Sequence, residues 1–205
     1  MKFLVQVFSF FIFLSLTAST HAQDHVVLLK KSVPEWNQWR DKNPEAIPNL
    51  QNVNLRGSDL LMSNLREANL RGANLATANL SGANLSGANL TMDNLTGANL
   101  FMSDLREANL QDANLQDARF QFANLQDASL QGANLFMSDL GMANLQEVDL
   151  RSADLQETKN LICNQINSVK SLDKETKFPD YLEVKFSGEN QWTCKEVKKE
   201  TDKQE

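Results

Sequence analysis

The chain has 205 residues, a formal net charge of −6 and a hydrophobic fraction of 41%. With two histidines and two cysteines, the sequence offers few of the usual ligands and nucleophiles, and it contains neither a His-rich metal spacing nor a Ser/His/Asp set. The length is enough for one elongated domain with terminal caps.

Residues 1–22 have the order of a secretory signal peptide. The charge of Lys2 precedes an apolar run from Phe3 to Leu16, and small residues follow up to Ala22. The run is too short to favour a transmembrane helix, and no other stretch is apolar enough to span a membrane. We therefore expect cleavage after Ala22 and an exported protein whose mature chain has no transmembrane segment.

Residues 23–47 are predicted to form a helical N-terminal cap. Pro34 splits the segment into two helices, and Ser32, with a glutamate three residues later, has the pattern of a capping box for the second. Trp36 or Trp39 is expected to plug the end of the domain that follows, although either indole could instead bind a sugar or a partner. The apolar residues on one helix face are Val26, Leu29, Val33 and Trp36.

Residues 48–158 repeat with a period of five. From Leu50 to Leu155 every fifth residue is leucine except Phe120, and a small residue, usually alanine, stands two positions earlier. Neither an α-helix nor a flat strand keeps such leucines on one side, so the backbone must turn once per repeat. Alanine and leucine then point inward together, and the Asn or Asp between them points outward and bonds nearby backbone.

The repeat Ala-(Asn/Asp)-Leu-x-x resembles the pentapeptide-repeat family, as in residues 73–75, 83–85 and 113–115. The resemblance implies an all-β solenoid, a right-handed quadrilateral β-helix with four repeats, or twenty residues, per coil. At a spacing of about 4.8 Å, five and a half coils make a rod of roughly 26 Å. Together with the signal peptide, the family suggests a bacterial envelope, and hence a periplasmic or secreted protein.

Residues 159–194 are predicted to close the rod as a C-terminal cap, followed by a charged tail over residues 195–205. Cys163 and Cys194 both follow the repeats, and in an exported protein such a pair is expected to form a disulfide. A free thiol nucleophile or a pair of metal ligands remains the alternative. The side chains expected to cover the last coil are Ile162, Ile166 and Val169.

Asp93 is a polar anomaly in the repeat interior. It occupies the alanine position, between Ala73 and Ala113 in a twenty-residue coil. A buried carboxylate must bond backbone or shift toward its neutral form. Either a local bulge turns Asp93 outward, or the residue forms a notch that binds water or an ion.

One side of the predicted coil is apolar on its outer surface. Positions twenty residues apart stack, and this side carries large apolar side chains where the neighbouring sides carry Arg, Gln, Asp and Glu. We call these residues the apolar stripe: Leu61, Met62, Phe101, Met102, Phe122 and Met142. A patch of roughly 400–600 Å² usually marks a partner, although a terminal segment of the same chain could cover it.

Three functions follow from these features. The first is a non-enzymatic extracytoplasmic scaffold that binds an unknown protein, or a second copy, through the apolar stripe. The second, implied by the family, is an acidic DNA mimic that inhibits a DNA-binding enzyme such as a topoisomerase; residues 48–158 carry thirteen acids and six arginines. Scattered arginines and export both oppose it, and no nucleic acid is expected as a partner. The third, a weak enzyme, has no supporting motif, and no cofactor is expected.

Overall fold

The computed structural model describes residues 25–188 and 190–197. Along the chain it contains helix α1 (25–31), helix α2 (Val33–Lys42), a stack of coils, helix α3 (Cys163–Ile166), and strands β1 (Leu182–Gly188) and β2 (Gln191–Glu196). The predicted signal peptide at residues 1–22 lies outside the described residues. No helix in the described part is long and apolar enough to cross a bilayer.

The repeats form a stack of twenty-residue coils. Each Asn or Asp before a leucine makes a parallel bridge with the residue twenty positions later, beginning with Asn49 and Asn69 and continuing to Asp139 and Lys159. Backbone bonds such as Leu50 N–H to Asn69 O, at 2.7 Å, join successive coils. Four turns separate four short bridged segments in each coil, as a period of five requires.

The interior of the coils is filled by leucine and alanine. Every leucine at the fifth positions from Leu50 to Leu155 is at most 2% exposed, and Phe120 is fully buried in the one such position where leucine is absent. Each such leucine contributes about 1.5–3 kcal/mol of burial free energy. The outward Asn side chains bond the turn that follows them, as Asn74 Oδ1 does with the Ala76 N–H at 3.1 Å. The predicted division of the repeat into inward and outward positions is confirmed.

Helices α1 and α2 meet at Ser32, as the proline predicted. The Ser32 hydroxyl accepts a hydrogen bond from the Glu35 N–H, and Pro34 lies in the first turn, where its missing N–H costs nothing. The N-cap of α2 therefore fixes the angle at which this helix reaches the first coil.

Helix α2 closes the open edge of the first coil with side chains instead of a strand. The Trp36 indole N–H donates to the Asn64 carbonyl at 2.8 Å, and its ring is fully buried. The Asn37 amide accepts from the Asn64 N–H at 2.8 Å and donates to the Met62 carbonyl at 3.0 Å. These bonds satisfy backbone groups that have no preceding coil to pair with, so Trp36 is the plug and the first coil is protected from edge pairing.

Arg40 completes the same cap. Its guanidinium donates to the carbonyls of Ala46 and Arg66, and the residue is 3% exposed. Burial lowers the pKa of Arg40. The planar guanidinium carries five N–H donors and can bond two carbonyls at once. Arginine therefore suits a site where hydrogen bonds must link two chain segments.

The C-terminal cap first continues the ladder and then leaves it. Ser171 bridges to Asp149 and Lys177 to Asp154, at separations longer than the twenty residues of the preceding coils. The insertion that lengthens this last turn contains α3. Beyond it, β1 and β2 form an antiparallel hairpin, and the disulfide between Cys163 and Cys194 joins the hairpin to α3.

Two details of the C-terminal cap differ from the sequence-based expectation. Ile162 is 44% exposed, whereas Leu161, with Ile166 and Val169, covers the last coil. Strand β2 continues to Glu196, where Lys195 and Glu196 pair with β1, so the charged tail begins later than residue 195. The second difference arises because β2 stays paired with β1 as far as the partners Leu182 and Glu196.

Candidate interaction surface

The apolar stripe lies along one column of turns. Five stacked turns form this column: 61–62, 81–82, 101–102, 121–122 and 141–142. The two residues of each turn lie outside the rod, while the large apolar residue before the turn and the small residue after it point inward. The side chains of the apolar stripe therefore contribute nothing to the leucine core.

Most of the apolar stripe faces solvent. Met62, Met102, Phe122 and Met142 are 69%, 58%, 53% and 74% exposed, and Leu61 is 45% exposed. Phe101 is half-buried because its ring packs edge-on against Phe122, with ring centroids 5.7 Å apart. The described terminal segments leave these side chains open, so an intramolecular cover for them is not found in residues 25–188 and 190–197.

The backbone at the stripe is strained for such side chains. Met62, Met102, Phe122 and Met142 all have φ between 55° and 61°, the left-handed region required at the third position of a type II turn. Glycine occupies the equivalent position at residue 82 in the same column. Glycine would relieve the strain at the other positions. Large apolar residues therefore stand where local folding does not favour them.

Sequence analysis missed two apolar residues beside the stripe. Phe136 and Met137 form the turn that immediately precedes 141–142 along the coil, and Met137 is 40% exposed. The other turns in their column carry polar or small residues, so the column as a whole has no apolar pattern. Adjacent turns of the same coil, compared together, would have shown the pair.

The column after the stripe is polar and internally paired. Arg106 donates to Asp104 at 2.8 Å and 2.6 Å, and these hydrogen bonds hold the pKa of Asp104 below its usual range. Arg66 likewise contacts Glu67 at 2.6 Å. Because both pairs are exposed, each stabilises the fold weakly. Their effect on the surface is to interrupt its negative charge.

Asp93 points into the rod, so the outward-bulge interpretation is wrong. The residue is 1% exposed, its Oδ1 accepts from the Ala73 N–H at 2.9 Å, and its Oδ2 has no hydrogen-bond partner. Burial raises the pKa of Asp93 to about 8, against the backbone hydrogen bond from Ala73 that acts to lower it. The ladder stays regular here, because Asn114 N–H still donates to the Asp93 carbonyl at 2.9 Å.

The described residues contain no cluster of three or more His, Cys, Asp and Glu side chains that could hold a metal ion. Asp93 is thus a single carboxylate rather than part of a ligand set. The cysteines, the other candidate ligands, are bonded to each other. An open groove of about 910 Å³ lies between the last coil and the hairpin. Its acidic groups Asp149 and Asp173 are already bonded to Arg151 and Ser152.

A capped stack of twenty-residue coils with a filled interior and an exposed apolar stripe defines a β-solenoid repeat protein whose outer surface is available for binding. The model of the family described as pentapeptide repeats matches in eight copies, over residues 49–87, 63–100, 103–141 and 128–159, more than half of the chain. The chain belongs to the pentapeptide-repeat family. Its members are right-handed quadrilateral β-helices and are generally non-enzymatic structural or interaction modules.

The chain is similar to several solved structures, of which the first supports the same fold. QnrB1, described as a plasmid-mediated fluoroquinolone resistance protein, is 20% identical with a TM-score of 0.53, and the match covers 69% of this chain and 72% of that one. The pentapeptide-repeat protein Rfr23 of the cyanobacterium Cyanothece 51142 is 29% identical over 69% of this chain and 97% of its own, with a TM-score of 0.46. The pentapeptide-repeat protein alr5209 of Nostoc PCC 7120 is 34% identical over 52% and 74%, with a TM-score of 0.39. No curated protein matches the chain significantly.

Proposed function

We propose that this protein is a non-enzymatic extracytoplasmic scaffold that binds another protein through the apolar stripe. The observation that carries the proposal is the exposure of four large apolar side chains, each more than half open to solvent, at stacked turns of one column. Contiguous apolar surface of this kind is uncommon on a protein that has no partner. Methionine and phenylalanine also adapt well to a contacting surface.

The extracytoplasmic location rests on two independent features. Residues 1–22 have the charged, apolar and small-residue order of a signal peptide. The disulfide of Cys163 and Cys194 suits an oxidising compartment, because cytosolic thiols are normally kept reduced. The signal-peptide pattern and the disulfide both indicate a location outside the cytoplasm.

The alternative, an acidic DNA mimic, has less support. A DNA mimic needs regularly spaced negative charge, whereas Asp104 and Asp149 are each bonded to an arginine of the same column. The arginine guanidiniums place positive charge beside these carboxylates and interrupt the negative surface. In addition, DNA is absent from the proposed extracytoplasmic compartment.

A photocrosslinking amino acid at position 102, incorporated in living cells, tests the proposal. Position 112 is the matched control, since Asp112 occupies the same turn position on the opposite side of the coil, two columns away, with φ of 56°. We expect protein adducts from position 102, to a second copy or to another protein, and few from position 112.

Met102→Glu supplies the corresponding variant. Glutamate is accepted at this left-handed position in Glu67, Glu107 and Glu147, so the coil should still fold. The variant is expected to lose the adducts formed from a crosslinker at position 122, whereas Asp112→Asn, on the opposite side of the coil, should keep them. Equal adduct yields from positions 102 and 112 would contradict the proposed function.

A further inference from the structure

We propose that the partner of the apolar stripe is a second copy of this chain, packed antiparallel about a two-fold axis at the turn of Phe101 and Met102. The inference rests on the proposed function, because it assumes that the stripe is a binding surface. Its basis is the order of large and small residues along the five stacked turns, of which 101–102 is the third and central one.

An antiparallel pair places two large residues of the stripe against small ones and sets Met62 against Met142. With the axis at the third turn, the first turn of one copy faces the fifth turn of the other, so Leu61 faces Gly141. The second turn faces the fourth, so Gly82 faces Phe122. The central turn faces itself. An isologous contact of this kind uses the same patch on both copies and closes at two.

A parallel pair does not match in this way. Each turn would then face its own counterpart, and the two turn positions would exchange, because a two-fold axis along the rods reverses left and right. Ser81 and Gly82 would face each other across a gap, between turns where Leu61 faces Met62 and Phe101 faces Met102. Interfaces need packing close to that of protein interiors, so a gap between bulky contacts disfavours the parallel arrangement.

The small turn at residue 82 can receive the phenyl ring. In the isolated chain the Met62 Cγ lies 3.4 Å from the position that a Cβ on Gly82 would occupy. The Met62 side chain therefore partly covers the space beside Gly82. Three rotatable bonds allow Met62 to move aside when Phe122 of the second copy enters. Met142, the most exposed member of the stripe, then contacts the displaced Met62.

The polar column beside the stripe is compatible with the antiparallel pair. This arrangement sets each column against its own reversed copy, so Arg106 and Glu107 meet the same two residues across the axis. Each arginine can then lie beside the glutamate of the other copy. Complementary charge at the rim favours the correct alignment more than it adds affinity.

The surface area of the apolar stripe indicates a reversible pair of chains. The stripe supplies roughly 400–600 Å² per copy, below the approximately 800 Å² per partner of a standard stable interface. A reversible pair is therefore expected rather than a permanent dimer.

Sedimentation equilibrium of the purified mature protein measures this association. The Phe122→Gly variant is expected to raise the dissociation constant at least tenfold without unfolding the coil, because φ at residue 122 is 61° and suits glycine. Asp127→Gly is the control, with φ of 60° in the adjacent polar column, and should leave the association unchanged. A wild-type protein that stays monomeric at several hundred micromolar would overturn the inference.

Single cysteines test the orientation. Met102→Cys protein should crosslink with itself on oxidation, because residue 102 lies at the axis. Met62→Cys and Met142→Cys proteins should each fail to crosslink alone but crosslink when mixed, since two copies of residue 62 lie about 19 Å apart in the antiparallel pair. Efficient self-crosslinking of Met62→Cys would instead establish a parallel pair and reject the proposed geometry.

The two proposals fail in different ways. If the purified protein is monomeric but position 102 forms adducts with a different protein in cells, the second-copy inference is wrong and the proposed function stands. If neither self-association nor adducts from position 102 are found, both are wrong.

Discussion

The Asp93 carboxylate and the backbone N–H of Ala73 are joined by a 2.9 Å hydrogen bond between adjacent coils, inside an otherwise apolar rod. The second carboxylate oxygen has no hydrogen-bond partner. An ionised carboxylate is unfavourable there, so the folded rod favours the protonated side chain.

This relationship predicts a pH-dependent stability. Burial raises the pKa of Asp93 from 3.8 to about 8, so between these values the folded state keeps a proton that the unfolded state has lost. The free energy of unfolding should therefore fall as the pH rises from about 4 to about 8, by several kcal/mol at most. Asp93→Ala, which restores the residue found at Ala73 and Ala113, should remove this fall.

Chemical denaturation at pH 5 and pH 8 measures the effect. Asp127→Asn removes an exposed carboxylate and tolerates the left-handed backbone, so its unfolding free energy should follow the wild-type pH dependence. Wild-type and Asp93→Ala curves that run parallel across this range would show that Asp93 is not the cause.

Trp36→Ala should open the N-terminal end of the rod. The substitution removes a fully buried ring and leaves the Asn64 carbonyl without its 2.8 Å donor. We expect a loss of about 3–5 kcal/mol in unfolding free energy. Trp39→Ala is the matched control, because Trp39 is half-buried and should cost less. Equal losses in calorimetric unfolding would mean that Trp36 is not the plug.

Arg40→Lys should weaken the same cap despite keeping the charge. A lysine ammonium lacks the fork that reaches the carbonyls of Ala46 and Arg66 together, so one acceptor would be left unpaired. A loss of about 1–3 kcal/mol in unfolding free energy is expected. Lys42→Arg, at an exposed position on α2, is the control, and urea titration of both variants provides the measurement.

Reduction of the disulfide should loosen the C-terminal cap. Cys163 and Cys194 are 31 residues apart, which corresponds to about 3–4 kcal/mol on the chain-entropy account. Thiol titration of unreduced, denatured protein should find no free thiol, and hydrogen exchange after reduction should increase in the hairpin before the central coils. Two reactive thiols in the unreduced protein would contradict the expectation.

Export should leave a mature chain that begins at Gln23. The order of charged, apolar and small residues before that position predicts cleavage after Ala22. Terminal sequencing of protein from fractionated cells checks the site. An intact Met1 in the cytosolic fraction would remove the basis for an extracytoplasmic location and favour the DNA-mimic alternative.

The repeat region was predictable because each five-residue unit imposes the same local constraint. Leu, Ala and Asn at fixed positions determine which side chains face inward. The coil of twenty residues, seen in the bridges, was implied by the resemblance to the pentapeptide-repeat family. Asp93 was uncertain for the opposite reason. A single polar residue in an apolar row can distort the backbone or stay buried, and the hydrogen bond to Ala73 decides between them only once adjacent coils are in place.

The caps were predictable in outline only. Trp36 could be identified as a plug because tryptophan is large and lies on the apolar helix face. Arg40 could not, because arginine is usually a surface residue, whereas here it is buried. Its role depends on two carbonyls that become neighbours only after folding. Leu161 and Ile162 are adjacent apolar residues, and only the folded backbone decides that Leu161 covers the last coil while Ile162 is exposed.

The coil of twenty residues gives the sequence two independent periods: five residues for the interior positions and twenty residues for the outer columns. A deletion of five residues would keep every later leucine inside, yet it would shift each later turn by one side of the rod, as residues 121–122 would then stack in the column now formed by 116–117 and 136–137. A deletion of twenty residues would preserve both the interior and the columns. Gain or loss of single repeats can therefore rearrange the whole outer surface during evolution while the fold persists, whereas a binding column is inherited intact only when the length changes by full coils.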